Sequence, residues 1–333
     1  MNTFFNRLFS ATKSAFPKAG KTIWWLLKII IPISFLVSLL QFSGLLSIFA
    51  VYMSPLFSLI GLPGESAIVF ISSMFLSLYA PIAIIATLPL DIREISILAL
   101  MCLISHNLIV ETAVQRKTGS SGLIMFSLRF VSSFILAFIL HKILPEQPTS
   151  NVQLSHEVIN PTFSEMLITW LWSTFGLIVK IVLIVTGLMI MQQMLKEFRL
   201  LDKIAALFAP IMKFMGLSPD SAFLWFVAQT VGLAYGSAIM TESVENKEIS
   251  PKNANLLNYH IAVNHSLLED TLLFVAIGVP AAWIVLPRLL WAIVVVWIVR
   301  LWANAKSLKQ KASAIWFFCI FNRNKFIHFP LKY

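Results

Sequence analysis

From Ile23 to Ala50 the chain carries a single charged residue, Lys28. Apolar stretches of about 20 residues recur from there to Trp302, and that is the length at which a helix crosses the hydrocarbon core of a bilayer. Of the 333 residues 58% are hydrophobic and only 12% are charged, with a mean hydropathy of +0.85. A soluble domain carries about 25% charged residues, so this chain cannot cover a surface that faces water. In lipid every backbone amide must be paired inside the structure, which leaves helices or closed barrels. Runs of this length select helices, so the expected fold is an all-α polytopic membrane bundle.

The net charge of +10 does not indicate nucleic acid. Basic residues gather at the ends: Arg7, Lys13, Lys18 and Lys21 before the first run, and Lys306, Lys309, Lys311, Arg323, Lys325 and Lys332 after the last. Cytoplasmic flanks of membrane helices attract such charge. The run from Ile23 lacks a small-residue cleavage site and reads as a retained anchor. With only Cys102 and Cys319, there is no disulfide framework.

The chain reads as two copies. MSPLFSLIGLPGESA (53–67) resembles FAPIMKFMGLSPDSA (208–222), pairing Pro55 with Pro210, Gly61 with Gly216 and Ser66 with Ser221 at an offset of 155. SLYAPIAI (77–84) matches GLAYGSAI (232–239) at that same offset. SHNLIVET (105–112) then matches NHSLLEDT (264–271) at 159, an offset that extends to Arg129 and Arg288. Four ordered blocks carrying rare polar residues exceed chance.

Five hydrophobic segments are expected per copy: 23–43, 45–60, 65–88, 95–114 and 120–143, then 166–195, 201–217, 219–240, 254–276 and 280–302; the short second segments, 45–60 and 201–217, either span or are re-entrant or interfacial. The chain divides into a basic amphipathic segment (1–22) lying in the interface, a first repeat (23–143), an extracytoplasmic linker (144–165), a second repeat (166–302) and a basic cytoplasmic tail (303–333). Five crossings per copy make the repeats inverted, and three would place the termini and linker equally well. With the N-terminus inside, Arg116, Lys117, Lys203, Lys247 and Lys252 fall inside. The linker, carrying Glu146 and Glu157, falls outside, and so do Arg93, Lys142 and Lys213. Inverted repeats with broken helices are a recurrent transporter architecture, with binding near the midplane.

Ionisable groups inside a membrane cost several kcal/mol unless paired or hydrated, which makes them functional candidates. Here they recur in matched positions: His106 with His265, Glu111 with Asp270, Arg129 with Arg288. Glu269 lies one turn after His265, and Lys180 stands alone inside a long apolar segment as a counter-ion candidate. Structural salt bridges between Arg129 or Arg288 and the preceding carboxylates, and hydrogen-bonded packing of the histidines, are the plainer alternatives. Pro81 after Tyr79, and Gly236 after Tyr235, mark helix breaks that would line a cavity with Tyr79, Gln229, Tyr235 and Ser237. A simple kink is the alternative there.

Other patterns fail. GKT (20–22) has Ala15 where a phosphate loop needs Gly. Cys102 and His106 share a helix face, but two residues make no metal site, so no metal ligand is assigned. No nucleophile elbow and no HExxH motif occurs, so no catalytic residue or enzymatic activity is expected.

The block NHSLLEDTLLFVAIG (264–278) and its weaker partner SHNLIVETAV (105–114) resemble the Gate, or nucleoside recognition, domain. That domain occurs in concentrative nucleoside transporters, in the membrane part of the ferrous-iron transporter and in spore maturation proteins A and B. The resemblance spans about 25–143 and 166–302 and implies a membrane pore-and-gate unit. The resulting expectation is a permease of a small polar solute, nucleoside-like or ionic, in a bacterial cytoplasmic membrane with both termini inside. Tyr79, His106, Asn107, Gln229, Tyr235, Ser237, Asn264, His265 and Ser266 would contact substrate. Glu111, Glu269 and Asp270 would carry a coupling proton or cation, with Arg129, Lys180 and Arg288 as charge partners. A passive or partner-dependent ion pore and a non-transporting scaffold are the rival readings. No cofactor is expected; the bilayer, the solute and further copies of the chain are the partners.

Overall fold

The computed structural model describes residues 2–145, 162–198, 200–230 and 232–323. Among them there are helices and no strands: α1 (Asn2–Phe42), α2 (Leu45–Ser58), α3 (Ser66–Phe75), α4 (Tyr79–Ile85), α5 (Ile92–Ser105), α6 (Leu108–Lys117) and α7 (Gly122–Ile143) in the first half. The second half holds α8 (Phe163–Glu197), α9 (Leu200–Phe214), α10 (Ala222–Thr230), α11 (Leu233–Glu245), α12 (Pro251–Val263), α13 (Glu269–Val275) and α14 (Ala281–Arg323). Among the described residues, five stretches are long and apolar enough to cross a membrane: Phe4–Phe42, Ile92–Lys117, Gly122–Ile143, Phe163–Leu195 and Ala281–Ala305. The protein is an all-α membrane helix bundle. Most of the linker, 146–161, and the end of the tail, 324–333, lie outside the described residues.

Helices α1 and α8 form an antiparallel pair. Arg7 Nε meets Glu197 Oε1 at 2.7 Å near one end, and Phe42 packs on Phe163 at 5.8 Å near the other. At 41 residues, α1 is about 60 Å long at 1.5 Å per residue. This corrects the expectation of a separate interfacial helix over 1–22. No Gly-rich turn or cap interrupts the stretch, and its polar face is held by α8 through Arg7 and through Gln193, which donates to Ser14 Oγ at 2.9 Å.

The third segments, expected to cross, instead turn back. Helix α5 begins at a capping box: Asp91 Oδ1 accepts from Glu94 N at 2.7 Å and Glu94 Oε2 from Asp91 N at 2.9 Å. Arg93 beside it donates to His141 O at 2.8 Å, and Gly61 packs on the His141 ring, so the start of α3 and the end of α4 share one end of the bundle. In the second half Lys213, Gly216, Pro219, Lys252, Arg300 and Asn304 line one cavity of about 600 Å³ at the opposite end. Helix α10 starts there and α11 ends within six residues of α12, whose N-cap Ser250 accepts from Asn253 N. Both α3–α4 and α10–α11 are therefore re-entrant hairpins. The expected helix breaks are chain reversals, at 76–78 in the first half and around Gly232 in the second, where Gly232 supplies φ +97°. Lys213 consequently sits beside Lys252 and not across the membrane from it. Helices α2 and α9, at 14 and 15 residues, span only about 21–23 Å, less than the roughly 30 Å of hydrocarbon. Helix α9 packs on the second hairpin, Phe208 lying 5.5 Å from Trp225, and α2 on the first, with Phe57 6.4 Å from Phe70.

Corresponding positions share local geometry. Leu62 N donates to Phe57 O, and Leu217 N to Met212 O. The fourth segments, expected as continuous, break as well: α5 stops at Ser105 and α6 starts at Leu108, while α12 stops at Val263 and α13 starts at Glu269. Each break carries one left-handed residue, Asn107 (φ 46°) and Ser266 (φ 48°). Their amides donate to carbonyls freed by the hairpins: Asn107 N to Ser73 O (2.9 Å) and Ser266 N to Ala228 O (3.0 Å). Broken backbone at membrane depth is tolerated where protein satisfies it, and here the breaks satisfy each other.

Candidate functional site

The two fourth-segment breaks point their histidines at one another. His106 Nδ1–H donates to Cys102 O (3.2 Å), and His265 Nδ1–H to Ile261 O (2.8 Å), each one helical turn back. Both rings therefore present Nε2 inward, and the two nitrogens lie 3.4 Å apart. Carboxylates from both halves close around them. Glu111 Oε1 is 3.2 Å from His106 Nε2, Glu111 Oε2 is 3.3 Å from His265 Nε2, and Asp270 Oδ2 is 3.7 Å from His106 Nε2. The donor atoms of His106, His265 and Asp270 all lie within 4.8 Å of one another.

Two fully buried arginines hold this cluster in place. Arg129 on α7 meets Glu111 Oε2 at 2.8 Å and donates to Ile104 O (2.8 Å) and His106 O (2.7 Å), the carbonyls freed where α5 stops. Arg288 on α14 donates to His265 O (3.4 Å) and Thr271 Oγ1 (3.1 Å). The expected bridge from Arg288 to Asp270 is absent, because the guanidinium is taken by the Thr271 hydroxyl and by Ile284 O (2.8 Å). Asp270 Oδ2 and both amide atoms of Asn264 are buried without a hydrogen-bond partner. A buried polar atom in that state costs about 1–3 kcal/mol, which makes the cluster a candidate binding site.

Other sequence candidates distribute unevenly. Tyr79 OH donates to Glu269 Oε1 at 3.2 Å, linking the first hairpin to the second half. Gln229 Nε2 donates to Asn264 O at 2.7 Å. Asn107 and Ser266 contribute backbone geometry at the breaks. Lys180 is exposed on α8 and is no counter-ion to the cluster; its position inside an apolar run gave no sign of which face it occupies. The side chains of Tyr235 and Ser237 lie outside the described residues. Two buried polar groups escaped the sequence reading. Trp225 Nε1 donates to His260 Nδ1 (3.3 Å), and Asn258 Nδ2 donates to Thr118 Oγ1 (2.7 Å) and Ser120 Oγ (2.9 Å) across the halves. His260 and Asn258 precede His265 on the same segment, a polar density that pointed to them.

The Gate family, described as nucleoside recognition, matches residues 23–144. An uncharacterized membrane protein, YvoD, of Bacillus subtilis (strain 168) is 30% identical over 263 residues, covering 78% of this chain and 84% of that protein. The chain belongs to the Gate family of membrane proteins. No solved structure matches it. The Gate match covers His106, Glu111 and Arg129, the first-half side of the cluster.

Proposed function

We propose that this Gate protein is a permease for a small polar solute that works by alternating access between two inverted halves, 23–143 and 166–302. The observation that carries the reading is the contact of His106 with its own counterpart His265, at 3.4 Å, inside a cluster built from both halves. Trp291 donates in the same way to its counterpart Ser132 at 2.7 Å. Contact between equivalent residues is what a pseudo-two-fold axis passing between the halves would produce. Equivalent pairs away from that axis support inversion: Arg93 and His141 lie at one end, while Lys252 and Arg300 line a cavity at the other. Inverted halves with broken helices around a central polar site are the arrangement of secondary transporters.

Charge supports both the orientation and the coupling. Lys213, Lys252 and Arg300 line one cavity, and the turn after Arg116 and Lys117 meets the start of α12 through Ser120 and Asn255, so these bases share one end; excess Lys and Arg mark the cytoplasmic side. Around the histidines stand three carboxylates, Glu111, Glu269 and Asp270, against two guanidiniums, Arg129 and Arg288. One negative charge is left over, so the site takes up a proton or another cation with, or as, its solute. Tyr79, Gln229, Asn264 and the two histidines would contact that solute. Proteoliposome uptake of nucleosides, organic acids and divalent cations, with and without a proton gradient, tests the reading. Uptake of one class should disappear in His265→Ala and Asp270→Asn; the same flux in wild type and both variants would reject it.

A further inference from the structure

The cluster holds more than a charge surplus. With both Nδ1–H groups donating to carbonyls, each neutral ring carries its lone pair on Nε2, and these lone pairs face one another at 3.4 Å. Two such nitrogens repel unless a cation stands between them. Metal-bound histidines characteristically donate their second N–H to a carbonyl or carboxylate in this way, which fixes the ring and its tautomer. The spacing is equally informative. Metal–nitrogen and metal–oxygen bonds of about 2.0–2.1 Å at a tetrahedral angle put neighbouring donors roughly 3.3 Å apart. The separations here are 3.4 Å between the two Nε2 atoms and 3.7 Å from His106 Nε2 to Asp270 Oδ2, and the donors of His106, His265 and Asp270 all lie within 4.8 Å of one another.

We propose that His106, His265 and Asp270 form a three-ligand site for a divalent transition-metal cation, with Glu111 beside it and the fourth tetrahedral position open to solute or water, an inference that rests on the reading of this cluster as the solute or coupling-ion site. Two imidazoles select a borderline metal of the zinc, iron or cobalt class over magnesium or calcium, which prefer all-oxygen shells. Asp270 Oδ2, buried with no hydrogen-bond partner, supplies an uncommitted ligand atom. Arg129 holds Glu111 from outside the donor ring, and Arg288 acts through Thr271, next to Asp270. A divalent ion changes the local balance from minus one to plus one, which is milder than burying a bare ion in an uncharged cavity.

The test is titration of the purified full chain in nanodiscs with Co²⁺, read by visible absorption. One Co²⁺ per chain with the intense bands of tetrahedral coordination is expected, displaced by Zn²⁺. Affinity should fall by at least about 10–100-fold in His106→Ala and in His265→Ala, as losing a ligand is no milder than losing an outer-shell partner. X-ray absorption of the zinc-loaded wild type makes the result independent of how the variants fold: it should show imidazole and oxygen neighbours without sulfur. Weak octahedral bands, a sulfur shell, or affinity unchanged by the histidine substitutions would overturn the site. Tetrahedral binding without flux of any solute would remove the permease reading and leave the metal site standing. Solute flux by a chain that binds no metal would do the reverse.

Discussion

Replacing Arg129 with Met removes the guanidinium and keeps the side chain long and apolar. Two losses follow from the geometry. Glu111 Oε2 loses its partner at 2.8 Å in a largely buried site, and breaking a buried ion pair from one side costs about 3–5 kcal/mol. The carbonyls of Ile104 and His106, at 2.8 and 2.7 Å, lose the donor that capped the end of α5. Arg288→Met removes hydrogen bonds to Thr271 Oγ1, His265 O and Ile284 O but breaks no direct ion pair, so its cost should be about 1–3 kcal/mol. Counterpart positions in the two halves should thus differ by about 2 kcal/mol, the gap between those two ranges. Unfolding in detergent, followed by denaturant titration of the wild type, both single variants and Arg129→Met/Glu111→Gln, measures this. The double variant should recover part of the Arg129→Met loss, because it no longer buries a lone carboxylate. Arg288→Met as damaging as Arg129→Met, or a Glu111→Gln change that adds to the loss, would refute the reasoning.

Three further outcomes are expected. Tyr79→Phe deletes the hydrogen bond to Glu269 at 3.2 Å, so stability should drop by only about 1 kcal/mol while solute uptake falls; unchanged uptake would detach Tyr79 from the site. Asn107→Gly and Ser266→Gly should be tolerated, whereas valine at either position should destabilise by about 1–2 kcal/mol, since both residues sit in the left-handed region; equal melting of the Gly and Val variants would count against the break geometry. Lys213→Cys and Lys252→Cys should react with a membrane-impermeant thiol reagent from the same face, and Lys142→Cys from the other; labelling of Lys213→Cys from the Lys142 face would reinstate a crossing by α9.

The membrane class and the chemistry-bearing residues were legible in the chain because both are carried by local composition. A charge or imidazole inside an apolar run is conspicuous wherever the run folds, and its recurrence at 159 residues named His106, His265, Glu111, Asp270, Arg129 and Arg288 together. The third-segment interruptions were visible only in part: Pro81 and Gly236 flagged them, but both residues lie inside α4 and α11, a few positions past the turns. The breaks at His106–Asn107 and Asn264–Leu268 were not visible, because Asn, His and Ser have no strong veto on helix; those stretches open only where a neighbouring hairpin takes up the freed amide.

Sequence by itself therefore determined that the chain lives in a bilayer as helices, and which side chains cannot rest in hydrocarbon. Tertiary structure alone decided that the third segments return to their own end, that Lys180 faces outward and that Arg288 turns to Thr271. It also brought two histidines 159 positions apart to 3.4 Å. Hydropathy is a property of each residue, summed along the chain. The direction in which a helix presents a side chain, and what it meets there, depends on how whole helices pack.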